Sequence, residues 1–488
     1  MENVQRDAIL DFKGTATKFP VTKKFTISLA VSVGIYIILA LTNPLAAYGE
    51  MASKALGFFI GAIIFMVTSG VDLGVIAILV ACLGVTIGLF KWGTVSSRLG
   101  ASQFYNMLGM IMVACGCEFT PLGRRLSYHI LRKFGQKPVL MAVFIGVLAA
   151  TLSAFVSNTA IIILFSAIMN GMLLAMGEEP GKSKLGKVIM LLIPLCSSAG
   201  GMALFSGSPT GNAAAVSYMT SAIGDQSYAP TYAQWASVSV PTFVICIVPA
   251  ILVYIFWFKV KDSECKRLPR EYYDNLLKEL GPVGGSEIRW VIIVVTMVAL
   301  MMAGVTGPYV AMFCAAVTVF PVVGVAPAKE VIKKAPWSAL LAICLLPLLG
   351  NVVTDTGLNK WISDIITPLL GNISPFMLCL LAALLMAVLI NLLVNAMMGV
   401  QALVMSIMAP LCVSLGYNPT IILLPAAFAA SFYWCMGVNQ YVQINKEYGW
   451  WEMKDPIIPG LIAAVLIAVV SAVVACTLGP IFGMSLYL

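Results

Sequence analysis

The sequence has few charged residues. Only 10% of its 488 residues are Asp, Glu, Lys or Arg, whereas 60% are hydrophobic. Because soluble proteins contain about a quarter charged residues, this composition excludes a soluble globular protein. Apolar runs long enough to cross a hydrocarbon core about 30 Å thick recur along the whole chain. The composition therefore predicts an all-α polytopic membrane protein.

Groups that perform chemistry or carry protons are also scarce. His129 is the only histidine and is expected in a solvated loop. The interiors of the predicted spans contain no Lys or Arg, and their carboxylates, such as Asp72 and Glu118, lie near the ends. No nucleophile–base pair or metal-binding cluster stands out. We therefore expect neither an enzyme nor an organic cofactor, and the missing intramembrane carboxylates argue against a proton relay.

Positive charges are nearly missing from one side of the predicted topology. We expect about 11 transmembrane helices plus two re-entrant helical hairpins, at 138–177 and 375–416. With the N-terminus in the cytoplasm, all but four of the 29 Lys and Arg fall in cytoplasmic segments. This bias predicts a multi-pass protein with a cytoplasmic N-terminus, and we expect it in the plasma membrane of a bacterium. The bias also accounts for the net charge of +8 without a nucleic-acid partner.

Three adjacent polar residues, Ser157, Asn158 and Thr159, interrupt the first long segment, in which residues 138–177 carry no charge. They could simply cap helices or hydrogen-bond between helices. Alternatively, they form the tip of a hairpin that enters the membrane halfway, where unpaired backbone groups need protein or water nearby. Carbonyl groups at such a tip suit a cation, and amide groups suit an anion. Ser153, one turn earlier, can face the same point.

A second segment, 187–223, has the composition of a broken helix. Its central part, "CSSAGGMALFSGSPTGNAAA", contains Gly207 and Pro209 among several glycines. This pattern predicts an unwound stretch at membrane depth, although a kinked packing helix is the alternative. The counterpart in the second half is 418–444, which contains Gly437 and Asn439.

The two halves show the same order of features. Asn158 lies 20 residues after Pro138, and Asn395 lies 20 residues after Pro375. Because the charge bias places the two hairpins on opposite sides, the pattern predicts an inverted repeat, as in secondary transporters; a chance match in apolar sequence is the alternative. The predicted division is a cytoplasmic segment 1–24, scaffold helices 25–137, transport elements 138–258, a cytoplasmic linker 259–287, scaffold helices 288–374 and transport elements 375–488.

These motifs resemble a known family, the divalent anion:sodium symporters, which include bacterial dicarboxylate, citrate and sulfate carriers. The resemblance lies in "SNT" at 157–159, in "LGRRL" at 122–126 and in the glycine-rich break that ends at Asn212. It implies a homodimer in a lipid bilayer, an elevator mechanism, and sodium bound beside each hairpin tip. The second tip departs from the family pattern, because Val394, Asn395 and Ala396 replace a second "SNT".

The resemblance assigns roles to individual residues. The implied substrate ligands are Ser157, Asn158, Thr159, Ser208, Asn395 and Asn439. The implied sodium ligands are Ser153, Ser157, Asn158, Gly207 and Asn395.

The expected function is secondary active transport of a small anion, either a di- or tricarboxylate or an inorganic divalent anion. Coupling to sodium would use the first hairpin site, or the protein would act as an anion exchanger. The alternatives are a cation/proton antiporter of related architecture and an uncoupled channel or scaffold.

Overall fold

The computed structural model describes residues 23–358, 360–361, 364–365, 368, 373–392, 397–431 and 440–488. Within these ranges the regular elements are helices, apart from one isolated antiparallel bridge between Tyr417 and Tyr487.

The helices of the first half include six that precede the first hairpin and five that form the hairpin, the broken helix and the span that follows it. They are α1 (Lys23–Thr42), α2 (Ala52–Thr68), α3 (Leu73–Thr86), α4 (Trp92–Leu99), α5 (Ser102–Cys117), α6 (Leu122–Phe134), α7 (Pro138–Ser153), α8 (Asn158–Ala175), α9 (Lys184–Ala203), α10 (Pro209–Ile223) and α11 (Tyr232–Trp257).

The described helices of the second half follow a similar order. They are α12 (Arg270–Glu279), α13 (Gly285–Met302), α14 (Gly307–Val319), α15 (Ala328–Lys334), α16 (Trp337–Leu345), α17 (Leu348–Asp355), α18 (Pro375–Leu392), α19 (Met397–Ser414), α20 (Pro419–Ile422), α21 (Leu424–Ala429), α22 (Gln440–Gln443) and α23 (Ile457–Ile481).

Many of these helices are membrane spans by length and composition. Within the described ranges, eight helices are long and apolar enough to cross a membrane, or up to nine if the bent pair at Ala328–Lys334 and Trp337–Val353 is one span. Further apolar helices of 10–17 residues, such as α2, α3, α7 and α14, accompany them. The prediction of an all-α polytopic membrane protein is confirmed.

Helices α9 and α1 differ in how much of their apolar length is buried by the rest of the protein. In α9, 94% of the apolar window is buried, whereas the value for α1 is 11%. A helix that is hydrophobic on all sides belongs in the interior of a membrane bundle or against lipid. Because α9 is enclosed by protein, the polar backbone at its end faces other parts of the chain.

Each of the two long segments contains two helices, α7 and α8 in the first and α18 and α19 in the second. Pro138 begins α7 and Pro375 begins α18, as expected for a residue that has no N–H to donate. Each exit helix is followed by a glycine in the left-handed region, Gly177 with φ 79° and Gly416 with φ 76°. The broken helix begins at Lys184, three residues before its predicted start, because Ser183 caps it through the Gly186 amide.

The same set of helix pairings occurs in both halves. In the first half, α7, α9 and α11 pack against one another, and in the second half α18, α21 and α23 do so. The two groups meet where α11 packs along α23. The segment after α22 also contacts the first half, because Asn445 Nδ2 donates to Ser166 Oγ of α8 at 3.1 Å and to the Met190 carbonyl of α9 at 2.7 Å.

The predicted linker 259–287 is folded against α6. The Arg125 guanidinium binds both carboxylate oxygens of Glu287, at 2.8 and 3.2 Å, and donates to the carbonyls of Gly281 and Pro282. The expectation of a loop around His129 is wrong, because this residue lies on the exposed face of α6. The motif "LGRRL" therefore contributes a buried ion pair that joins α6 to the start of α13.

Candidate functional site

The tip of the first hairpin lies between α7 and α8. The chain leaves α7 after Ser153, makes a turn, and starts α8 at Asn158. Ser157 occupies the N-cap position, but its side chain does not cap the helix. The first backbone amides of α8 lack partners within the helix, because an α-helix leaves its first N–H groups unpaired. The tip therefore presents a hydroxyl group that makes no cap bond and the positive end of a helix.

A buried hydrogen bond closes the tip. The Ser153 hydroxyl donates to Asn158 Oδ1 across 2.5 Å. Ser153 is completely buried, and Asn158 is 8% exposed. This bond joins the last residue of α7 to the first residue of α8, so it fixes the side chains on either side of the turn. The two neutral oxygen atoms are of the type that sodium, a hard cation, prefers.

The broken helix approaches this tip through two glycines. A Cβ atom on Gly201 would lie 2.9 Å from Asn158 Nδ2 and 3.2 Å from the Ser208 Cβ. A Cβ atom on Gly207 would lie 3.0 Å from both Cα and the carbonyl oxygen of Ala154, in the turn of the hairpin. Because contacts this short are at or near the limit for real Cβ atoms, a larger residue at either position would require the tip or the break to shift.

Asn212 holds the break in its unwound conformation. Its Nδ2 donates to three carbonyls at the end of α9 and in the break, those of Gly201, Leu204 and Phe205, at 3.1–3.2 Å. Asn212 is 1% exposed, and its Oδ1 has no hydrogen-bond partner among the described residues. Such carbonyls lose their helical partners when a helix is interrupted. One asparagine side chain therefore takes the place of the missing turn.

The start of α19, from the second half, closes the other side of the break. A Cβ atom on Gly211 would lie 2.3 Å from Met397 Cε and 3.0 Å from Ser208 Oγ. One turn further along α19, Gln401 Nε2 donates to the Gly211 carbonyl at 3.0 Å. The first turns of α10 and α19 are therefore in direct contact.

Two helix N-termini consequently lie close together, those of α8 and α10, and the first described turn of α19 lies beside them. Ser208, the N-cap residue of α10, makes no side-chain cap bond, like Ser157 at α8. Helix N-termini carry a partial positive charge and free N–H groups, which favour bound anions. Beside them lie the neutral oxygens of Ser153 and Asn158. The arrangement can bind a carboxylate and a hard cation next to each other.

The predicted site residues fall into three groups. Ser153, Asn158, Gly207 and Ser208 are brought together around the break. Ser157 is half-buried and Thr159 is exposed, both at the tip. The predicted residues Asn395 and Asn439 lie outside the described residues.

Sequence reasoning missed one of the contacts. Met397 had no polar or charged signal that would mark it as part of a site. Its only clue is its position immediately after the segment that corresponds to "SNT". Asn212 was noted only as the end of a motif, and its spacing gave no indication of which carbonyls it binds.

The comparison with known protein families decides the class. Residues 62–432 match the citrate transporter family, CitMHS. The chain belongs to this family. It is therefore a membrane transporter and not an enzyme, and its resemblance to the divalent anion:sodium symporters is confirmed.

Curated relatives in Staphylococcus are similar over about two thirds of the chain. The sodium-dependent dicarboxylate transporter SdcS of Staphylococcus saprophyticus is 23% identical over 367 residues, which cover 69% of this chain and 68% of the relative. SdcS of Staphylococcus aureus strain USA300 is 25% identical over 370 residues, with the same coverage.

A solved structure is similar in fold. MtrF of Neisseria gonorrhoeae, described in a study of antimetabolite efflux pumps, superposes with a TM-score of 0.55 over 83% of this chain and 85% of that chain. At 12% sequence identity, this likeness concerns the fold alone.

Proposed function

We propose that this protein is a secondary active transporter that carries a small di- or tricarboxylate together with sodium. The observation that carries the proposal is the contact between the first hairpin tip and the break in the broken helix. There Ser153 and Asn158 present neutral oxygens beside the free N-termini of α8 and α10. The sodium-dependent dicarboxylate transporters among the relatives support the choice of both solutes.

The proposed roles follow from the chemistry of each group. Ser153, Ser157, Asn158 and the Gly207 backbone supply oxygen atoms to sodium. Ser157, Asn158, Thr159 and Ser208 bind one end of the anion together with the amides of the helix N-termini. Asn395 and Asn439 are proposed to serve the other end. None of the proposed ligand groups carries a full charge near neutral pH. The bound cation therefore balances part of the anion's charge.

We further propose that the transport elements move as one body. The packing of α7, α9 and α11 against the matching group α18, α21 and α23 supports this, because the contact between α11 and α23 joins the two groups. In this elevator arrangement, scaffold helices from both halves form the stationary part, the assembly is a homodimer, and the N-terminus lies in the cytoplasm, as the distribution of Lys and Arg favours.

Uptake into proteoliposomes tests the function. The purified protein is reconstituted, and labelled succinate, citrate and sulfate are each supplied with an inward sodium gradient or with potassium in its place. We expect saturable uptake of at least one carboxylate that requires sodium. Uptake that proceeds equally in potassium but requires a preloaded anion would identify an exchanger and contradict sodium coupling. No carboxylate flux under either condition would contradict the proposal as a whole.

A further inference from the structure

The contact between α19 and α10 places an apolar side chain beside the proposed anion site. Met397 Cε would lie 2.3 Å from a Cβ atom on Gly211, and the same Cβ atom would lie 3.0 Å from Ser208 Oγ. The end of the Met397 side chain therefore lies against the first turn of α10, near Ser208. A larger residue at Gly211 would have to displace the end of the Met397 side chain.

Gln401 keeps Met397 in this position. The two residues are four positions apart on α19, so they lie on one face of the helix. Gln401 is completely buried, and its Nε2 donates to the Gly211 carbonyl at 3.0 Å. Because both side chains contact the same turn of α10, the start of α19 has a fixed position relative to Ser208.

The chemistry of the site on the side of Met397 and Pro209 differs from that of the first hairpin tip. A thioether is a weak acceptor and has no donor, so Met397 gives a carboxylate no hydrogen bond. It is also a poor ligand for sodium, which prefers oxygen. Pro209, at the first position of α10, has no N–H to offer. Met397 therefore restricts space beside Ser208 without itself contributing a binding group.

We infer that Met397 is a specificity-determining residue, which limits the size of the anion that fits between Ser208 and the second hairpin. This inference rests on the proposed function. Shortening the side chain removes atoms beside Ser208 and opens space for a bulkier anion. The preference for a compact C4-dicarboxylate over a branched tricarboxylate should therefore fall.

The chain offers a matched control for loss of packing. Met405 lies eight residues further along the same helix, about 12 Å from Met397. It lines a small gap against α10 together with Ala215 and Met219. Met405→Ala removes the same atoms from the same helix interface at a distance from the hairpin tip. A second control, Met397→Leu, keeps an apolar side chain of similar volume at the site.

The experiment measures uptake of labelled succinate and citrate into proteoliposomes under an inward sodium gradient. The proteins compared are wild type, M397A, M397V, M397L and M405A. The readout is the ratio of kcat/KM for citrate to that for succinate. Pocket changes of this size alter such ratios by about tenfold or more. We expect M397A to raise the ratio about tenfold and M397V to raise it less, whereas M397L and M405A stay within about twofold of wild type.

Two results would overturn the inference. One is an unchanged ratio in both M397A and M397V, and the other is an equal change in M405A. If either result is obtained while the wild-type protein takes up carboxylate, Met397 has no role in specificity and the proposed function still stands. Wild-type protein that takes up neither anion removes the proposed function, and the inference with it. M397V serves as the folded variant if M397A elutes as aggregate, because it loses fewer buried atoms.

Discussion

Two exit helices meet the same break, and they bring different chemistry to it. In the first hairpin, α8 begins beside the break at Asn158, which is hydrogen-bonded to Ser153 at 2.5 Å. In the second hairpin, the first described residue of α19 is Met397, which packs against Gly211 beside the break. In both cases the first described residues of a helix approach the region where α9 ends and α10 begins. The side chains at the two positions differ.

This difference separates two tasks of a transport site. Oxygen and amide groups on the α8 side can bind a cation and a carboxylate, because they replace the solvation that the ions lose. An apolar group on the α19 side can only exclude solutes that are too large. Asn158 can therefore supply ligands to the site, whereas Met397 limits the space beside them.

The largest effect should come from Asn158→Ala. This variant removes an oxygen ligand and leaves the buried Ser153 hydroxyl without its acceptor, at a combined cost of about 3 kcal/mol. We expect uptake to fall about a hundredfold, measured as initial rates in proteoliposomes. Thr151→Ala is the control, because Thr151 lies on α7 near the tip, is exposed, and bonds only to the Val147 carbonyl in its own helix. Equal loss in both variants would contradict a specific role for Asn158.

A smaller effect is expected from Gly201→Ala. The new methyl group would lie within 3.0 Å of both amide atoms of Asn158, so the tip and the break must separate or Asn158 must turn. We expect about a tenfold fall in uptake with the protein still folded. Gly171→Ala, in the middle of α8, has open space within 4 Å and should leave uptake unchanged. Normal transport by Gly201→Ala would show that the close approach is not needed.

The smallest effect on transport should come from Gln401→Leu, on the α19 side. This variant leaves the Gly211 carbonyl without the donor it now has, which should lower the free energy of unfolding by about 1–3 kcal/mol. We expect a lower melting temperature in detergent with less than about a threefold change in uptake. Ser406→Ala, which removes a buried hydroxyl on α19 that has no partner among the described residues, should not destabilise the protein. A large loss of uptake by Gln401→Leu at normal stability would assign ligand binding to the α19 side as well.

The sequence allowed prediction of the elements but only of part of the site. Proline at the entry, glycine at the exit and the uncharged run were enough for both hairpins, because these are local signals. The polar tip and the glycine-rich break identified Asn158 and Ser208 for the same reason. The contact between Gln401 and Gly211 joins residues 190 positions apart, and no local pattern specifies such a pairing. The role of Asn212 likewise depends on how the chain unwinds between α9 and α10.

The central claim is that anion and sodium bind side by side at Asn158. The most direct measurement is titration calorimetry of the detergent-purified protein with succinate and with citrate, each in sodium and in choline buffer. If sodium raises the affinity for the anion, the anion must raise the affinity for sodium by the same factor. We predict that sodium increases anion affinity at least about tenfold in the wild-type protein and does not do so in Asn158→Ala. Anion binding with the same affinity in both buffers, or a sodium effect that persists in Asn158→Ala, would contradict the account.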